Sequence, residues 1–329
     1  MAVVRAELKV YKSAVFNDQP TNGGRMSATE SPTDVVGNLF LDAPEAERTA
    51  GSTKYRKIFF KNENDADETL ANPRIYVESH TPGADEIFLF PATQVDVQSG
   101  ISSPDLFGSG KLDANVSAGV SIITVLTHDS ALIIFRDTET IRISDKADID
   151  GSGNEEFHVI SGTPTFGGDI ATITIVGTLV NAYLATAARV QSVIDTISDL
   201  VATFASVVVV STSGTFTSAS NLTVDNIGGV NDSWTITFSS ATAFDVTGTN
   251  EGAVGSGTIS STFAPTNADH SKPYFSILAA AWGGSFLSGD TVDFDTVPAA
   301  QPIWCQRSIP AGAGSLSANK AVLLLDGES

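Results

Sequence analysis

The stretch DIDGSGNEEF, residues 148–157, is the part of the chain whose residue types come nearest to a chemical site. It places Asp148, Asp150, Ser152, Gly153, Asn154 and Glu156 at positions 1, 3, 5, 6, 7 and 9 of a calcium-binding loop, in which oxygen ligands alternate about a glycine turn. Position 12, which needs a bidentate glutamate, is Val159, and no helical pattern flanks the loop. Asp148, Asp150, Ser152, Asn154 and Glu156 are therefore weak candidate calcium ligands, and the spacing favours a solvated acidic hairpin turn. The four histidines, His80, His128, His158 and His270, are far apart and none has metal-ligand spacing. The lone cysteine, Cys305, follows Trp304 and reads as a small buried hydrophobe. No serine sits in a G-x-S-x-G elbow, and carboxylates are so numerous that any two make an acid–base pair on paper. Neither a catalytic constellation nor a cofactor is expected.

A second stretch, TNGGRMSATESPTDVVGNLF (residues 21–40), has paired glycines and an arginine but lacks the GxxxxGK[ST] of a phosphate-cradling loop. It has too few apolar residues to bury itself and sits between strand patterns. It is therefore expected to be an extended segment that needs a partner surface to become ordered.

Charge sets the wider limits. The chain has 18 Lys and Arg against 38 Asp and Glu, a net of −20. Residues 75–329 hold 8 basic against 27 acidic residues, so the excess lies beyond the N-terminal quarter. Such a surface repels phosphate and excludes a protein that grips nucleic acid. The N-terminus MAVVRAELKVYK has charges where a secretory signal needs an apolar run, and no stretch approaches the ~20 apolar residues of a spanning helix. A soluble protein made in a cytoplasm, with no membrane partner, is expected.

The elements that must position these residues are mostly strands. In VVRAELKV, Val4, Ala6, Leu8 and Val10 alternate with polar residues; in STKYRKIFFKNEN, Arg56, Ile58 and Phe60 oppose Tyr55, Lys57 and Phe59. Strands are also expected at Arg74–Glu78 and Glu86–Phe90, around Trp234–Phe238, and at 273–278, 291–295, 302–309 and 320–326. In the run 179–203, Val190, Val193, Ile197, Leu200 and Phe204 step by three and four, which predicts one amphipathic helix. The fold class is mainly β: a β-sandwich-like domain built from both chain ends (1–105 plus 265–329), with an inserted acidic β-rich domain (106–264) carrying that helix.

The segments GGRMSATESPTDVVGNLFLDAPEAERTAGSTKYRKIFFKNEN and FAPTNADHSKPYFSILAAAWGGSFLSGDTVDF, and the ending PIWCQRSIPAGAGSLSANKAVLLLDGE, resemble a family of virion structural proteins of contractile-tailed bacteriophages. The middle is similar more loosely, in LTVDNIGGVNDSWTITFSSATAFDVTG. The resemblance implies a non-enzymatic virion subunit forming a ring or collar at the head–tail junction, with residues 20–53 as an arm across an adjacent subunit and Arg25, Arg48, Lys54, Arg56 and Lys57 pairing to its acidic residues. Its expected partners are further copies of itself in a multiple of six and the other neck and tail proteins: portal or connector, tail tube and sheath. Genomic DNA would be a non-sticking passenger. A tail-tube or terminator protein, a baseplate or fibre protein, and a capsid-decorating β-domain are the alternatives.

Overall fold

The computed structural model describes residues 2–33, 35–79, 81–129, 131–148, 151–317 and 319–328. The first alternating segment forms β1 (Leu8–Val15), and the glycine-led stretch folds back on it as β2 (Gly23–Glu30). A short helix, α1 (Glu45–Ala50), leads into β3 (Ser52–Asn62), which pairs with the other edge of β1, Tyr11 opposite Phe59. β4 (Ala71–Ser79) and β5 (Glu86–Pro91) follow.

The chain then leaves this first unit and builds a second. β6 (Ser109–Leu112), β7 (Ile122–Leu126), β8 (Thr140–Ser144), β9 (Glu155–Val159), β10 (Thr165–Gly167), β11 (Ile170–Thr174) and β12 (Arg189–Val193) make one antiparallel sheet in the order β10-β11-β7-β6-β12-β8-β9. That sheet closes on itself. The Val176 N–H donates to the Val159 carbonyl and the Ser161 N–H to the Thr174 carbonyl, both at 2.8 Å, joining the ends of β9 and β11. Closure into a barrel removes most free edges. Period-two alternation sends Ile123, Val125, Ile141, Ile143, Ile173 and Val190 into its interior.

A third unit follows: β13 (Thr203–Val210), β14 (Gly214–Phe216), β15 (Leu222–Val224), β16 (Asp232–Phe238), β17 (Ala243–Gly248), β18 (Gly252–Thr258), β19 (Thr266–Asn267), β20 (Lys272–Pro273), β21 (Phe275–Ile277), β22 (Trp282–Gly284) and β23 (Thr291–Val297). Its main sheet runs β13-β23-β16-β17-β18, and the short pairs β14-β22 and β15-β21 supply residues to the same core. That core is aromatic: Trp234 and Phe294 lie edge-on to Phe275 at 4.9 and 5.0 Å, and Phe238 stacks on Phe286. The chain returns to the first unit as β24 (Ala300–Ile309), which lies between β3 and β5, and ends in β25 (Val322–Glu328) on β4. β5 and β24 are thus antiparallel neighbours whose connection is the whole of residues 92–299.

The structure is mainly β, and it departs from the expected layout in two ways. Residues 265–299, expected to join the sheet of the chain ends, instead supply β19–β23 of the third unit. Residues 106–264 therefore do not form one inserted domain: a barrel lies at 109–193, and the third unit spans 203–297. The helix expected over 179–203 is absent. That run contains β12 and then crosses β4 in an extended path, with bridges Ile75 to Ile194 and Leu70 to Leu200. Its apolar spacing arises because it serves several cores in turn: Val190 fills the barrel, Val193 packs with Tyr76, and Ile194 enters the first unit's core. Val, Ile and Thr suit an extended chain of this kind.

The barrel docks on the first unit through an ion pair with no solvent access at the arginine. Arg142 Nη1 donates to Glu78 Oε2 at 2.6 Å and its Nε to Glu155, while its guanidinium lies over the Tyr76 ring at 4.8 Å. Gln191 Nε2 donates to the Glu78 carbonyl. Removing one member of such a pair leaves the other charge buried. Arg142→Ala is expected to lower stability by about 3–5 kcal/mol in urea denaturation; a loss under about 1 kcal/mol, the range of an exposed pair, would contradict a buried clamp here.

Candidate functional site

The first and third units meet over β3, where a cluster of polar side chains is buried. Lys57, Phe59 and Lys61 share one face of β3, and all three are buried. The opposite face, with Ile58 and Phe60, enters the first unit's own core. Lys61 Nζ donates to the Ile227 carbonyl at 2.5 Å, pairs with Glu63 at 3.1 Å and sits 5.1 Å from the centre of the Tyr11 ring. The Tyr11 hydroxyl donates to the same Glu63 oxygen at 2.7 Å, and His270 packs edge-on against the Tyr11 ring.

Local structure places each partner. The loop after β15 is wound tightly: the Asp225 carboxylate accepts the Ile227 and Gly228 amides, and its carbonyl accepts the Gly229 amide. A Cβ on Gly228 would meet the Pro273 carbonyl oxygen at 2.1 Å, so glycine is required there for the Ile227 carbonyl to reach the lysine. Asn226 locks the same loop, its amide donating to Asp67 and its side-chain oxygen accepting the Ala202 amide. Beside this cluster, Arg25 of β2 pairs with Glu251 at 2.6 Å. Glu251 is presented by a turn whose amides are capped by the buried Asp232 carboxylate. A cleft of about 240 Å³ opens here, lined by Arg25, Met26, Gln94, Asn231, Glu251 and His270 among others.

Burial shifts the ionisations in the cluster. It pushes the Lys61 amine below its ordinary value, against the pull of Glu63. It pushes the Tyr11 phenol up, with Glu63 adding to the rise. His270 is held down by burial and by the Lys61 charge. A depressed lysine beside a carboxylate and a phenol has the composition of a general base. Lys61, however, has no exposed surface and spends its protons on Glu63 and a main-chain carbonyl, so no substrate atom can approach it. What this arrangement does is fasten two units. Cys305 is likewise fully buried, its thiol pushed up by desolvation, and it packs with Ile58 and Leu89.

The basic residues of the expected arm are all engaged within the chain. Arg25 holds Glu251, Arg48 donates to the Ala43 carbonyl, and Lys54 pairs with Asp18 and Glu47. Arg56 pairs with Asp18, and the fully buried Lys57 donates to the Gly24 carbonyl and pairs with Asp96. Within the chain, β2 of this segment pairs with β1, and its Arg25 reaches Glu251 of the third unit. Phe40 fixes the remaining loop, stacked between Arg56 and Arg307.

Of the acidic loop, Asn154 and Glu156 are engaged with other parts of the barrel. Asp150 lies outside the described residues, as does His80. The Glu156 carboxylate accepts the Val180 and Asn181 amides and contacts His158, and the Asn154 amide donates to Asp145. Among the described residues no three His, Cys, Asp or Glu form a group that could hold a metal ion.

One titrating group lies at the barrel's end of the first unit. Glu86 of β5 is buried, with His128 Nδ1 3.3 Å away, and burial, with Asp129 and Asp85 adding to it, pushes its carboxyl up to about 8. A folded-state value above the ordinary 4.5 means that the folded chain binds this proton more tightly than the unfolded one. Its contribution is complete below about pH 4.5 and is lost as pH rises through about 8. The Glu86→Gln variant is expected to lose less stability than the parent between pH 5 and pH 8, measured by urea midpoints; parallel profiles would contradict the assignment. Gly228→Ala should displace the Ile227 carbonyl and lower the melting temperature by several degrees, whereas an unchanged melting temperature would show that Lys61 does not need that carbonyl.

No protein-family model matches the chain, and no curated protein matches it.

Proposed function

We propose that the chain is a non-enzymatic structural subunit of a bacteriophage virion that assembles with copies of itself into a ring or collar at the head–tail junction, through which DNA passes. The observation that carries this reading is the junction chemistry. Lys61 and Arg142, neither with solvent access, are spent on holding β units in one arrangement. A subunit that must keep its shape within a large assembly needs that property. The likeness of the chain ends to virion structural proteins of contractile-tailed phages supports the same reading and supplies its placement in the virion.

Surface charge fits a passage for DNA. Residues 200–299 hold one basic residue, Lys272, against eight acidic ones. On the outer face of the third unit, Asp293 and Asp295 of β23 accept hydrogen bonds from Thr235 and Ser233, and Asp245 accepts one from Ser256. Hydroxyls satisfy these carboxylates without neutralising them, so the face stays negative and repels the phosphate backbone.

Native mass spectrometry of the purified protein, alone and mixed with portal or tail-tube protein, tests the reading. A species with a multiple of six subunits is expected. A trimer would move the assignment to a baseplate or fibre protein, and a monomer under every condition would contradict self-assembly.

A further inference from the structure

The amine of Lys57 is held on three sides. Its Nζ donates to the Gly24 carbonyl at 2.7 Å and to the Asp96 carbonyl at 3.2 Å, and it pairs with the Asp96 carboxylate oxygen Oδ1 at 2.7 Å. An ammonium has three N–H groups. Two are taken by main-chain carbonyls, so the third faces the carboxylate. The lysine side chain has no exposed surface, and its Nζ lies 5.1 Å from the centre of the Phe59 ring and 6.0 Å from that of Trp304.

The carboxylate is fixed from the other side. Oδ1 accepts the Thr93 amide at 3.1 Å, and Oδ2 accepts the Trp304 indole N–H at 2.8 Å. The main chain around the pair is closely packed. The Gly24 amide donates to the Asp96 carbonyl at 2.8 Å, and a Cβ on Gly23 would meet both that oxygen and the Trp304 ring at 2.8 Å. A nitrogen 2.7 Å from a carboxylate oxygen lies within about 4 Å of its carbon, close to the ~3–3.5 Å of a near-attack arrangement.

We propose that Lys57 and Asp96 condense to an isopeptide bond that cross-links β3 to the loop after β5. The proton on the third N–H passes to Oδ1, and the lone pair it leaves faces the Asp96 carboxyl. Burial favours that transfer: it lowers the lysine from its ordinary value against the pull of Asp96, and desolvation disfavours both charged forms. Attack on Cγ forms the C–N bond, and the charge developing on Oδ2 is held by the Trp304 N–H, as an oxyanion is held in acyl transfer. A second proton moves from nitrogen to Oδ1, the Cγ–Oδ1 bond breaks and one water leaves. Asp96 is 31% exposed, which gives that water a way out. Nothing is oxidised or reduced, and no outside reactant is consumed. The two residues are 39 positions apart, so the link restrains the unfolded chain as a disulfide does. The proposal does not depend on the virion reading.

The test is the intact mass of the full-length chain, purified in its folded form and measured under denaturing conditions. It should be one water lighter than the sequence requires. Trypsin should then release residues 57–61 joined to residues 75–111, because the modified Lys57 is no longer cut and the flanking sites at Arg56, Lys61, Arg74 and Lys111 remain. Lys57→Arg keeps the charge and removes the amine, so its mass should be that of its own sequence, and its digest should contain 75–111 as a free peptide. The conclusion rests on the parent chain, so it stands whether or not that variant folds. A parent at full mass would overturn the proposal. So would a loss of water that maps to any other pair of residues, or one that persists in Lys57→Arg.

Discussion

Three cations without solvent access, Lys57, Lys61 and Arg142, hold the arrangement of this molecule. Lys61 and Arg142 occupy strand positions that would face water if their units stood alone, whereas Lys57 is covered within the first unit. Each is buried because something outside its own sheet lies over it: the Asp96 loop over Lys57, the 225–231 loop over Lys61, and β4 over Arg142. Taking a charge out of water is costly, and the cost is offset only where a carboxylate or carbonyl stands in the right place. The Ile227 carbonyl, the Asp96 carboxylate and the Glu78 carboxylate meet that requirement. A displacement of one unit against another by an ångström or two would break the Lys61–Ile227 and Arg142–Glu78 bonds and leave those cations buried without these partners. The ion pairs therefore act as a register, whatever their net contribution to stability.

The rest of the architecture follows from this arrangement. β5 and β24 are hydrogen-bonded neighbours, so the chain leaves and re-enters the first unit on adjacent strands. From there, residues 194–200 run back across β4, tying the exit of the barrel to the first unit before the third begins. Asn62 and Asn226 both donate to the Glu68 carbonyl, bringing β3, the turn that follows it and the third unit's loop to one point. The arm-like N-terminal stretch is part of the same system: β2 supplies the Gly24 carbonyl to Lys57 and carries the Arg25 that reaches Glu251.

The strands were legible because their period-two patterns and turn residues are local. Ile58 and Phe60 against Lys57 and Phe59 correctly marks a strand, and Trp234, Ile236 and Phe238 mark another. What the pattern could not convey is that the polar face of β3 is covered. Lys57 and Lys61 look like solvent-facing residues, and only the partners at Asp96 and Ile227, distant in sequence, show otherwise. The same limit explains Arg25, Lys54, Arg56 and Lys57, whose acceptors Asp18, Asp96 and Glu251 include two far along the chain. The helix expected over 179–203 failed because a segment passing from one core to the next can mimic a 3.6-residue period. The division at 264 failed because the polar loop chemistry at 265–271 marks a turn within the third unit, not its end. Barrel closure depends on two hydrogen bonds between residues 159–161 and 174–176, which leave no trace in composition.

Differential scanning calorimetry of the intact chain tests the central claim most directly. If buried cations lock the three units, they should unfold together, in a single transition whose calorimetric and van't Hoff enthalpies agree. Two or three resolved transitions, or a calorimetric enthalpy well above the van't Hoff value, would show that the units melt independently and that the buried pairs do not bind them into one body.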